Sequence, residues 1–415
     1  MPPTLMLPSG DSGTVAVTLE ERWQRAAIVA RAGRRLPPRG RRRRRLVLGG
    51  LLLAVLSPVF YSYVSTMVRP SSLPLGVRSV EWVRDHHGHW LVDEAERIYY
   101  GWLKAPERGG PQLRALPSLA LPEIARVRSV RPRAVWPRPV ASVFAHRLPG
   151  EGIWRGTGPI VDGRPPVLVT TVRTELAYPR LVAYVAWFDH TRTSLAWYPG
   201  RYEPPAASLR GPASVPFGQR WRLLATFNGG FTHVDGNNGS AIDGHTDEPL
   251  RDGLATLVGY RDGRVDIVKW GGGPTAGPAI AFARQSLPPI VWNGRLNPAL
   301  NDSTAWGYTL GNAVRVWRTG VGIDRRGNVV YVAADYQTVR TLAEILRRVG
   351  AVRAMQFDIN PEWPSLISYR HRRGIRPTKI VPNVQQSAWR YLVPDDRDFV
   401  AVYRRLPGEV TVPLK

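Results

Sequence analysis

A carboxylate stands at the end of an apolar, strand-like run in the segment 355–360, which reads MQFDIN. In α/β sheets, the ends of strands line ligand sites. A carboxylate that is partly buried there can act as an acid, a base or a nucleophile, so Asp358 is a candidate catalytic residue. Asn360 follows within reach of the same ligand and is a candidate substrate-binding residue. An aspartate that only caps a turn gives the same pattern.

An asparagine and two glycines end another apolar run in the segment 227–231, which reads FNGGF. Asn228 carries a donor and an acceptor for a sugar hydroxyl or a phosphate oxygen, and is a candidate catalytic residue. Gly229 and Gly230 lack a Cβ, so their backbone N–H groups can come close to a ligand. These glycines and Phe231 are candidate substrate-binding residues. A tight turn without a ligand is the alternative interpretation.

An arginine enters a strand-like run of small residues in the segment 318–324, which reads RTGVGID. A guanidinium that points from a strand into a cleft can hold a phosphate through two hydrogen bonds. We therefore predict a catalytic role for Arg318 and a substrate-binding role for Thr319. An arginine at a sheet edge, with no ligand, is the alternative.

Short side chains that carry oxygen crowd the segment 235–252. Calcium prefers such ligands, but the same residues are also common in turns. The sequence assigns no metal ligand; a divalent cation such as calcium is the one cofactor that it suggests, and Asp243 is taken as substrate-binding. The chain has no cysteine, which excludes cysteine-ligated zinc and a thiol nucleophile.

Short β-branched runs alternate with glycine-containing turns from residue 151 onward, a pattern that is typical of strands. The segment 338–349 has one apolar helical face and is stopped by Gly350. We predict an α/β fold of the mixed α+β kind: a single mixed-sheet domain with flanking helices over 151–406. The expected strands are 167–172, 181–188, 223–227, 255–260, 265–270, 314–323, 329–334 and 355–357.

Five arginines at 41–45 precede 23 residues without a charge, 46–68. At about 1.5 Å per residue, a helix of this length spans a hydrocarbon core of about 30 Å. We predict a transmembrane helix with the basic tail 1–45 in the cytoplasm, because positive charge favours the inner side. A cleaved signal peptide is the alternative. A membrane-proximal helix and a proline-rich connector are expected over 70–150.

The formal net charge is +25, from 57 lysines and arginines against 32 acidic residues. A basic surface attracts polyanions such as nucleic acid, anionic lipid or phosphate-rich polymers. A domain outside the cell membrane does not normally meet nucleic acid. The expected partners are therefore the membrane itself, through the single helix, and a sugar-phosphate or anionic envelope glycan, with no nucleic acid.

The order of these motifs resembles that of the phosphodiester glycosidase family, over about residues 220–404. The order runs from FNGGF through an Asp-Gly hairpin and RTGVGID to a helix and the strand that ends at Asp358. The resemblance implies that the family's functional positions fall on Asn228, Gly229, Gly230 and Arg318, together with Asp358. Better-known members read DGGGS where this chain reads DINPE, so the aspartate matches while the glycine turn and the serine do not.

Together with the predicted transmembrane helix, the resemblance implies a membrane-anchored, extracytoplasmic glycosidase that hydrolyses a sugar-1-phosphodiester in envelope or exopolysaccharide glycans. Arg318 and the amides of Gly229 and Gly230 would meet the phosphate, and Asp358 would face the anomeric carbon as nucleophile or as base. The alternative is a non-catalytic binder of anionic envelope polymers that uses the same cleft, and the DINPE sequence favours this alternative.

Overall fold

The computed structural model describes residues 39–409, apart from 72, 89, 93, 96–105, 120, 122–135, 206–210, 302–303, 310–312 and 383–385. The chain divides into two compact units, residues 1–66 and 67–415. The predicted cytoplasmic tail, except for the helical residues from 39 onward, lies outside the described residues, as does the middle of the predicted connector.

The first unit contains most of helix α1, Arg39–Val68. Its part Arg44–Val68 has a mean hydropathy of 1.9 and is the one helix among the described residues that is long and apolar enough to cross a membrane. A signal sequence near an N-terminus has the same length and composition. The prediction of an apolar spanning-length helix is therefore confirmed, and its function as an anchor stays a prediction.

The second unit is a mixed α+β domain, as predicted. Its described helices are α2 (Leu75–Asp85), α3 (His233–Gly236) and α4 (Val339–Arg348), with 3₁₀ turns at Phe217–Arg222 and Thr304–Trp306. Its described strands are β1 (Arg155–Thr157), β2 (Val167–Arg173), β3 (Val182–Phe188), β4 (Thr193–Tyr198), β5 (Leu223–Asn228), β6 (Ser240–Ile242), β7 (His245–Glu248), β8 (Ala255–Tyr260), β9 (Val265–Lys269), β10 (Ile280–Gln285), β11 (Val291–Trp292), β12 (Arg295–Leu296), β13 (Val316–Asp324), β14 (Val329–Gln337), β15 (Ala351–Gln356), β16 (Leu366–His371), β17 (Ile375–Lys379) and β18 (Phe399–Arg404).

The described strands form three sheets, and the strand pairs in them are antiparallel. The largest sheet has the order β1-β2-β3-β14-β13-β15-β11-β12. The other two have the orders β7-β6-β10-β8-β9 and β17-β16-β5-β18-β4. The main apolar core lies between these sheets, since it combines Phe227, Leu257 and Val321 from all three.

Helix α4 covers the opposite face of the largest sheet. Its residues Leu342 and Leu346 are fully buried in a second apolar cluster on that face. Thr338 caps the helix, because its hydroxyl accepts from the N–H of Thr341 while the Thr341 hydroxyl accepts from the N–H of Thr338. The helix therefore fixes the strands β13, β14 and β15 from behind.

The described parts of the predicted connector lie against the domain. Leu119 and Leu121 pack on the main core, and Val140 belongs to the cluster beneath α4. Helix α2 contributes Val77 to a small cluster with Leu73 and Trp363. The apolar side chains of these described residues therefore pack on the sheets.

Candidate active site

Asn228 is a buried junction between three segments. It ends β5, and its Nδ2 donates to the carbonyl of Gly229 at 2.8 Å and to the hydroxyl of Thr319 at 3.1 Å. Its Oδ1 accepts from the hydroxyl of Tyr331 at 2.6 Å and from the N–H of Ser365 at 3.2 Å. Both donors and both lone pairs of the amide are used, so Asn228 positions backbone segments in this structure.

Thr319 ties Asp358 to the same junction. Its hydroxyl accepts from the Asp358 N–H at 2.9 Å and donates to the Asp358 carbonyl at 3.1 Å. The Thr319 N–H also donates to that carbonyl, at 2.9 Å. Asn228 and Asp358 are therefore brought together, as predicted. The Thr319 hydroxyl is used fully by these protein partners, and its predicted substrate contact finds no free donor.

The carboxylate of Asp358 faces Arg397. One guanidinium nitrogen of Arg397 lies 3.0 Å from Oδ2, while Oδ1 accepts from the N–H of Asn360 at 2.9 Å. The side chain of Asp358 is 7 % exposed and that of Arg397 is 16 % exposed. The guanidinium also lies 5.0 Å from the ring centroid of Trp363. Arg397 is thus held between a carboxylate and an aromatic face, where cations are stabilised.

Burial raises the pKa of Asp358, and the charge of Arg397 and the Asn360 N–H oppose this rise. Burial acts on Arg397 in the opposite sense and lowers its pKa, but the carboxylates of Asp358 and Glu203 outweigh this, so the net change is upward. Arg397 therefore stays protonated. Asp358 is a carboxylate whose charge is disfavoured by its surroundings, as in many catalytic acids and bases.

A second arginine–aspartate pair lies next to the first. Nε of Arg284 donates to Asp398 at 2.9 Å, and each side chain is 1 % exposed. Asp398 also accepts from the indole of Trp197 at 2.7 Å, and its backbone carbonyl accepts from the Gly229 N–H at 2.9 Å. A Cβ on Gly229 would lie 2.2 Å from the Asp398 carboxylate. Only glycine therefore fits between this pair and the turn.

Glu203 is a third buried carboxylate in this region. It lies 3.5 Å from Arg284 and accepts from the N–H of His233 at 2.6 Å. Burial raises the pKa of Glu203, Arg284 and Arg397 lower it, and Asp398 raises it further. Two arginines and three carboxylates thus share one buried region behind the FNGGF turn.

The three residues after Asn228 differ in whether their backbone N–H group or side chain is open to a ligand. The Gly229 N–H already donates to Asp398, whereas the Gly230 N–H has no acceptor among the described residues. The hydroxyl of Ser286 lies 3.6 Å from where a Gly230 Cβ would stand, and within the described part of the chain it too has no partner. Phe231 is 6 % exposed and belongs to the apolar cluster beneath α4. Gly230 therefore keeps a backbone donor that no described residue uses.

Arg318 lies on the other face of β13 from Thr319. Its guanidinium donates to Gln356 Oε1 at 2.8 Å and to the carbonyls of Gln337 at 2.8 Å and Trp306 at 3.3 Å. Gly320 lies on the same face of β13 as Arg318, and a Cβ added to Gly320 would touch Leu342 and Leu346 of α4. The predicted convergence of Arg318 with Asn228 and Asp358 is thus wrong, because side chains alternate along a strand. Arg318 supports the segment at Trp306 from behind.

The polar segment 235–252 disperses instead of converging. Asp243 is exposed in the turn between β6 and β7, with φ of 49°, at the end of β6 that is remote from Arg284 and its partner Ser240. Asn238 bonds backbone carbonyls near Phe231. Among the described residues, no group of three or more histidine and acidic side chains is arranged to hold a metal ion. Asp243 thus lies in a turn, and the acidic side chains of the segment are not gathered at one point.

Asn360 holds Asp358 through its backbone. Its N–H donates to the carboxylate, and its own Oδ1 accepts from the N–H of Glu362 at 2.9 Å. These bonds shape the turn that follows β15 without the glycines of the family pattern. The side chain of Asn360 is partly exposed.

Sequence reasoning missed Arg397, Asp398, Arg284, Glu203 and Trp363. A signal was present in the run DDRD at 395–398, which immediately precedes the apolar strand β18. These charged residues stand where a strand begins, whereas Asn228 and Asp358 stand where apolar runs end. In an antiparallel sheet the start of one strand lies beside the end of its neighbour, and Phe399 of β18 indeed pairs with Asn228.

Several solved structures are similar to this chain. The catalytic domain of zebrafish N-acetylglucosamine-1-phosphodiester alpha-N-acetylglucosaminidase, auto-inhibited by its pro-peptide, is 14 % identical with a TM-score of 0.38, covering 61 % of this chain and 88 % of that chain. A hypothetical protein from Synechocystis is 13 % identical with a TM-score of 0.33, covering 60 % of this chain and 64 % of that chain, just under two thirds of its length. A Burkholderia pseudomallei protein described as exported is 11 % identical with a TM-score of 0.28, covering 54 % and 74 %.

No curated protein matches this chain. A family model does match, and the matched segment begins just before β5 and ends on Asp358. It contains the FNGGF turn, the buried Arg284 and the whole of β13. The resemblance inferred from the motifs is therefore confirmed: residues 222–358 form a phosphodiester glycosidase domain segment.

Proposed function

We propose that this protein is a membrane-anchored, extracytoplasmic glycosidase that hydrolyses a sugar-1-phosphodiester in envelope or exopolysaccharide glycans. The observation that carries the proposal is the pair of Asp358 and Arg397, with 3.0 Å between their charged groups, at the end of the matched family segment. A carboxylate and a guanidinium side by side suit a substrate whose anomeric carbon bears a phosphate.

Hydrolysis of a sugar-1-phosphodiester needs little general-acid catalysis. The leaving group of a sugar-1-phosphodiester is a phosphate monoester, which departs with its negative charge and needs little protonation. The enzyme has to stabilise that growing charge and the positive charge that develops on the sugar ring. A cation and a carboxylate on the two sides of the breaking bond meet both needs.

We assign the phosphate to Arg397 and to the backbone at Gly230. The Nε of Arg397 is buried and has no hydrogen-bond partner among the described residues, and the Gly230 N–H is likewise unused there. Of the donors predicted for the phosphate, the Gly230 amide is kept, whereas Arg318 and the Gly229 amide both have protein acceptors. A phosphate placed on Arg397 and Gly230 lies beside Asp358.

Asp358 then acts on the anomeric carbon, as nucleophile or as the base that takes a proton from the attacking water. Its carboxylate is in contact with Arg397, so the arrival of a phosphate on Arg397 loosens that pair and frees an oxygen for reaction. A substrate anion competing for the guanidinium would thereby link binding to activation of Asp358.

Hydrolysis is tested with full-length protein in detergent and a panel of α-linked sugar-1-phosphodiesters. We expect release of free sugar from at least one of them, and none from the Asp358→Asn variant, which keeps the shape of the side chain. Equal release by wild type and variant would assign the hydrolysis to a contaminant or to other residues, and would end the proposed role of Asp358.

The placement in the membrane is tested separately. The basic run 41–45 before the apolar helix Arg44–Val68 supports a cytoplasmic N-terminus and an exterior domain. Alkaline phosphatase fused to the C-terminus should be active, because it folds only outside the cytoplasm. An inactive phosphatase fusion together with a fluorescent cytoplasmic reporter at the same position would contradict this topology.

A second candidate function is the binding of anionic envelope polymers without hydrolysis. The sequence DINPE at 358–362 favours it, since the glycine turn and serine of better-known family members are replaced. The same panel separates the two functions. Tight binding of a phosphodiester without sugar release supports the binder, and sugar release supports the enzyme.

A further inference from the structure

A cavity of about 430 Å³ lies at the end of the domain opposite to Asp358. It is formed where the turn between β8 and β9 meets the turn between β13 and β14, close to the start of β15 and the end of β18. Its size is within the range of pockets for small molecules, about 300–1,000 Å³. None of its lining residues belongs to the candidate active site.

The cavity carries an excess of positive charge. Four arginines and two aspartates line it. The two aspartates are already paired: Asp262 lies 2.6 Å from Arg264, and Asp266 lies 2.7 Å from Arg353. Among the described residues, neither of the other two arginines, Arg326 and Arg405, has a carboxylate within ion-pair distance.

Arg405 is fixed in place and keeps an unused donor. Its backbone N–H donates to the carbonyl of Arg192 at 2.9 Å, and one guanidinium nitrogen donates to the carbonyl of Gly263 at 3.0 Å. Its Nε is buried, and no described group accepts from it. Burial lowers the pKa of Arg405 and Glu409 opposes this, so the guanidinium is a partly desolvated cation. A buried donor of this kind is satisfied when an anion accepts from it.

The remainder of the cavity is suited to the neutral part of a ligand. The partly exposed Val265 supplies apolar surface between the charged turns, above the buried side chains of Leu195, Ile323 and Val329. His190 adds a polar edge, since its Nδ1 lies 2.9 Å from Asn328 Oδ1 and its ring orientation is thereby set. A few directed polar groups around an apolar floor are the usual composition of a small-molecule site.

This cavity is remote from the proposed catalytic pair. Arg397 precedes β18 and Arg405 follows it. Eight residues of extended chain, at about 3.3 Å each, place the two arginines roughly 26 Å apart. One small ligand therefore cannot contact both arginines.

We propose that this cavity is a second anion-binding site, which takes the phosphate group of a phosphorylated monosaccharide on Arg326 and Arg405. The saccharide ring lies on the apolar floor. The inference does not depend on the proposed hydrolysis, because it uses none of the residues of the candidate active site.

Titration calorimetry on the full-length protein in detergent tests the site, with glucose 1-phosphate, inorganic phosphate and glucose as probes. Arg326→Ala removes an exposed lining charge, and Arg325→Ala is its matched control, because Arg325 is exposed in the same turn but does not line the cavity. We expect glucose 1-phosphate to bind about tenfold more weakly to Arg326→Ala and to Arg405→Gln, in keeping with loss of one charge-assisted contact. Arg325→Ala should bind as wild type does.

Three outcomes would overturn the proposal. Affinities that fall equally in Arg325→Ala and Arg326→Ala would show general charge attraction and no site. Binding that is lost only in Arg397→Gln would place all of it in the candidate active site. If inorganic phosphate bound as tightly as glucose 1-phosphate, the saccharide would contribute nothing to binding, and the site would not be one for a phosphorylated monosaccharide. Arg326 is exposed, so its variant reports on binding even if Arg405→Gln does not fold.

Discussion

Two arginine–aspartate pairs flank the FNGGF turn, and they differ in how fully their hydrogen-bonding groups are used. In the inner pair, Arg284 and Asp398 are each 1 % exposed, and Arg284 also donates to the carbonyl of Phe231 at 2.6 Å. In the outer pair, Arg397 is 16 % exposed and its buried Nε has no partner among the described residues.

This difference separates a structural pair from a reactive one. A buried ion pair whose groups are all satisfied fixes the backbone around it, and removal of one partner strands a charge. A pair with spare donors and partial exposure still has capacity for a ligand. The sequence offers no such distinction, since both pairs are an arginine and an aspartate from distant positions.

The largest expected effect comes from Asp358→Asn in the outer pair. We expect kcat/KM for a sugar-1-phosphodiester to fall about 10⁴-fold, or ~5.5 kcal/mol, because the amide can neither attack carbon nor take a proton. The free energy of unfolding should change little, since burial already disfavours the charge of Asp358. Steady-state kinetics and urea unfolding of the same sample measure the two effects. Loss of stability without a specific loss of rate would reclassify Asp358 as structural.

Asp398→Asn should show the reverse pattern. It leaves Arg284 fully buried without its nearest carboxylate, which costs about 3–5 kcal/mol of folding free energy. The Gly229 segment, whose N–H donates to the Asp398 carbonyl, loosens with it. The midpoint of urea unfolding is the measurement. If the variant were as stable as wild type, the inner pair would not have the structural role that its burial indicates.

Arg397→Gln tests the cation of the outer pair. We expect kcat/KM to fall about 10²–10³-fold, or ~3–4 kcal/mol, because one charged contact to the departing phosphate is lost. Arg397→Lys should recover part of this rate, since it keeps the charge but loses the forked geometry. An unchanged rate in Arg397→Gln would show that another group binds the departing phosphate.

The two glycines of the turn give a smaller and cleaner contrast. Gly229→Ala places a Cβ 2.2 Å from the Asp398 carboxylate, which Arg284 and Trp197 hold in place. Overpacking of this kind costs about 1–3 kcal/mol. In Gly230→Ala the nearest atom is 3.6 Å away, an ordinary contact, so stability should stay within about 0.5 kcal/mol of wild type. Thermal unfolding of the two variants side by side is sufficient. Equal losses would contradict the close fit of Gly229 to the inner pair.

Much of the scaffold was readable from the sequence. The hairpin of β8 and β9, the strands β2, β3 and β13–β14, and the capped helix α4 were all predicted from alternation, turn residues and helical periodicity. These are local signals, and the local interactions that produce them survive in the fold. The strands β1, β6, β7, β11 and β12 were missed because alternation cannot be read over two to four residues. The longer strands β4, β10, β16, β17 and β18 were missed as well.

The site was only half readable, for a physical reason. Asn228 and Asp358 were found because each ends an apolar run, and the fold does bring them together through Thr319. Arg318 was misplaced because alternation along β13 decides the face of its side chain, and a single sequence does not say which face lines the site. Arg397 was missed because its importance comes from pairing with Asp358, 39 residues away along the chain.

The pH dependence makes the smallest but most specific test of the outer pair. Burial raises the pKa of Asp358 above its ordinary 3.8, and Arg397 counteracts the rise. If the ionised carboxylate is the reactive form, kcat/KM should fall as the pH drops through this raised pKa. In Arg397→Gln the counteracting charge is gone, so the acidic limb should move to higher pH. A pH–rate profile of wild type and variant measures the shift.

The raised pKa of Asp358 also makes the free energy of unfolding depend on pH. A carboxyl whose pKa is raised on folding binds its proton more tightly in the folded state, so its contribution to stability is present below pH 3.8 and is lost as the pH rises through the raised value. Asp358→Asn removes this dependence, whereas Gly230→Ala keeps it. Urea unfolding as a function of pH should therefore show wild type losing stability relative to Asp358→Asn in that window. Parallel curves would mean that the fold does not disfavour the charge on Asp358. The acidic limb of the pH–rate profile would then belong to another titrating group, and Glu203, whose pKa burial also raises, is the candidate.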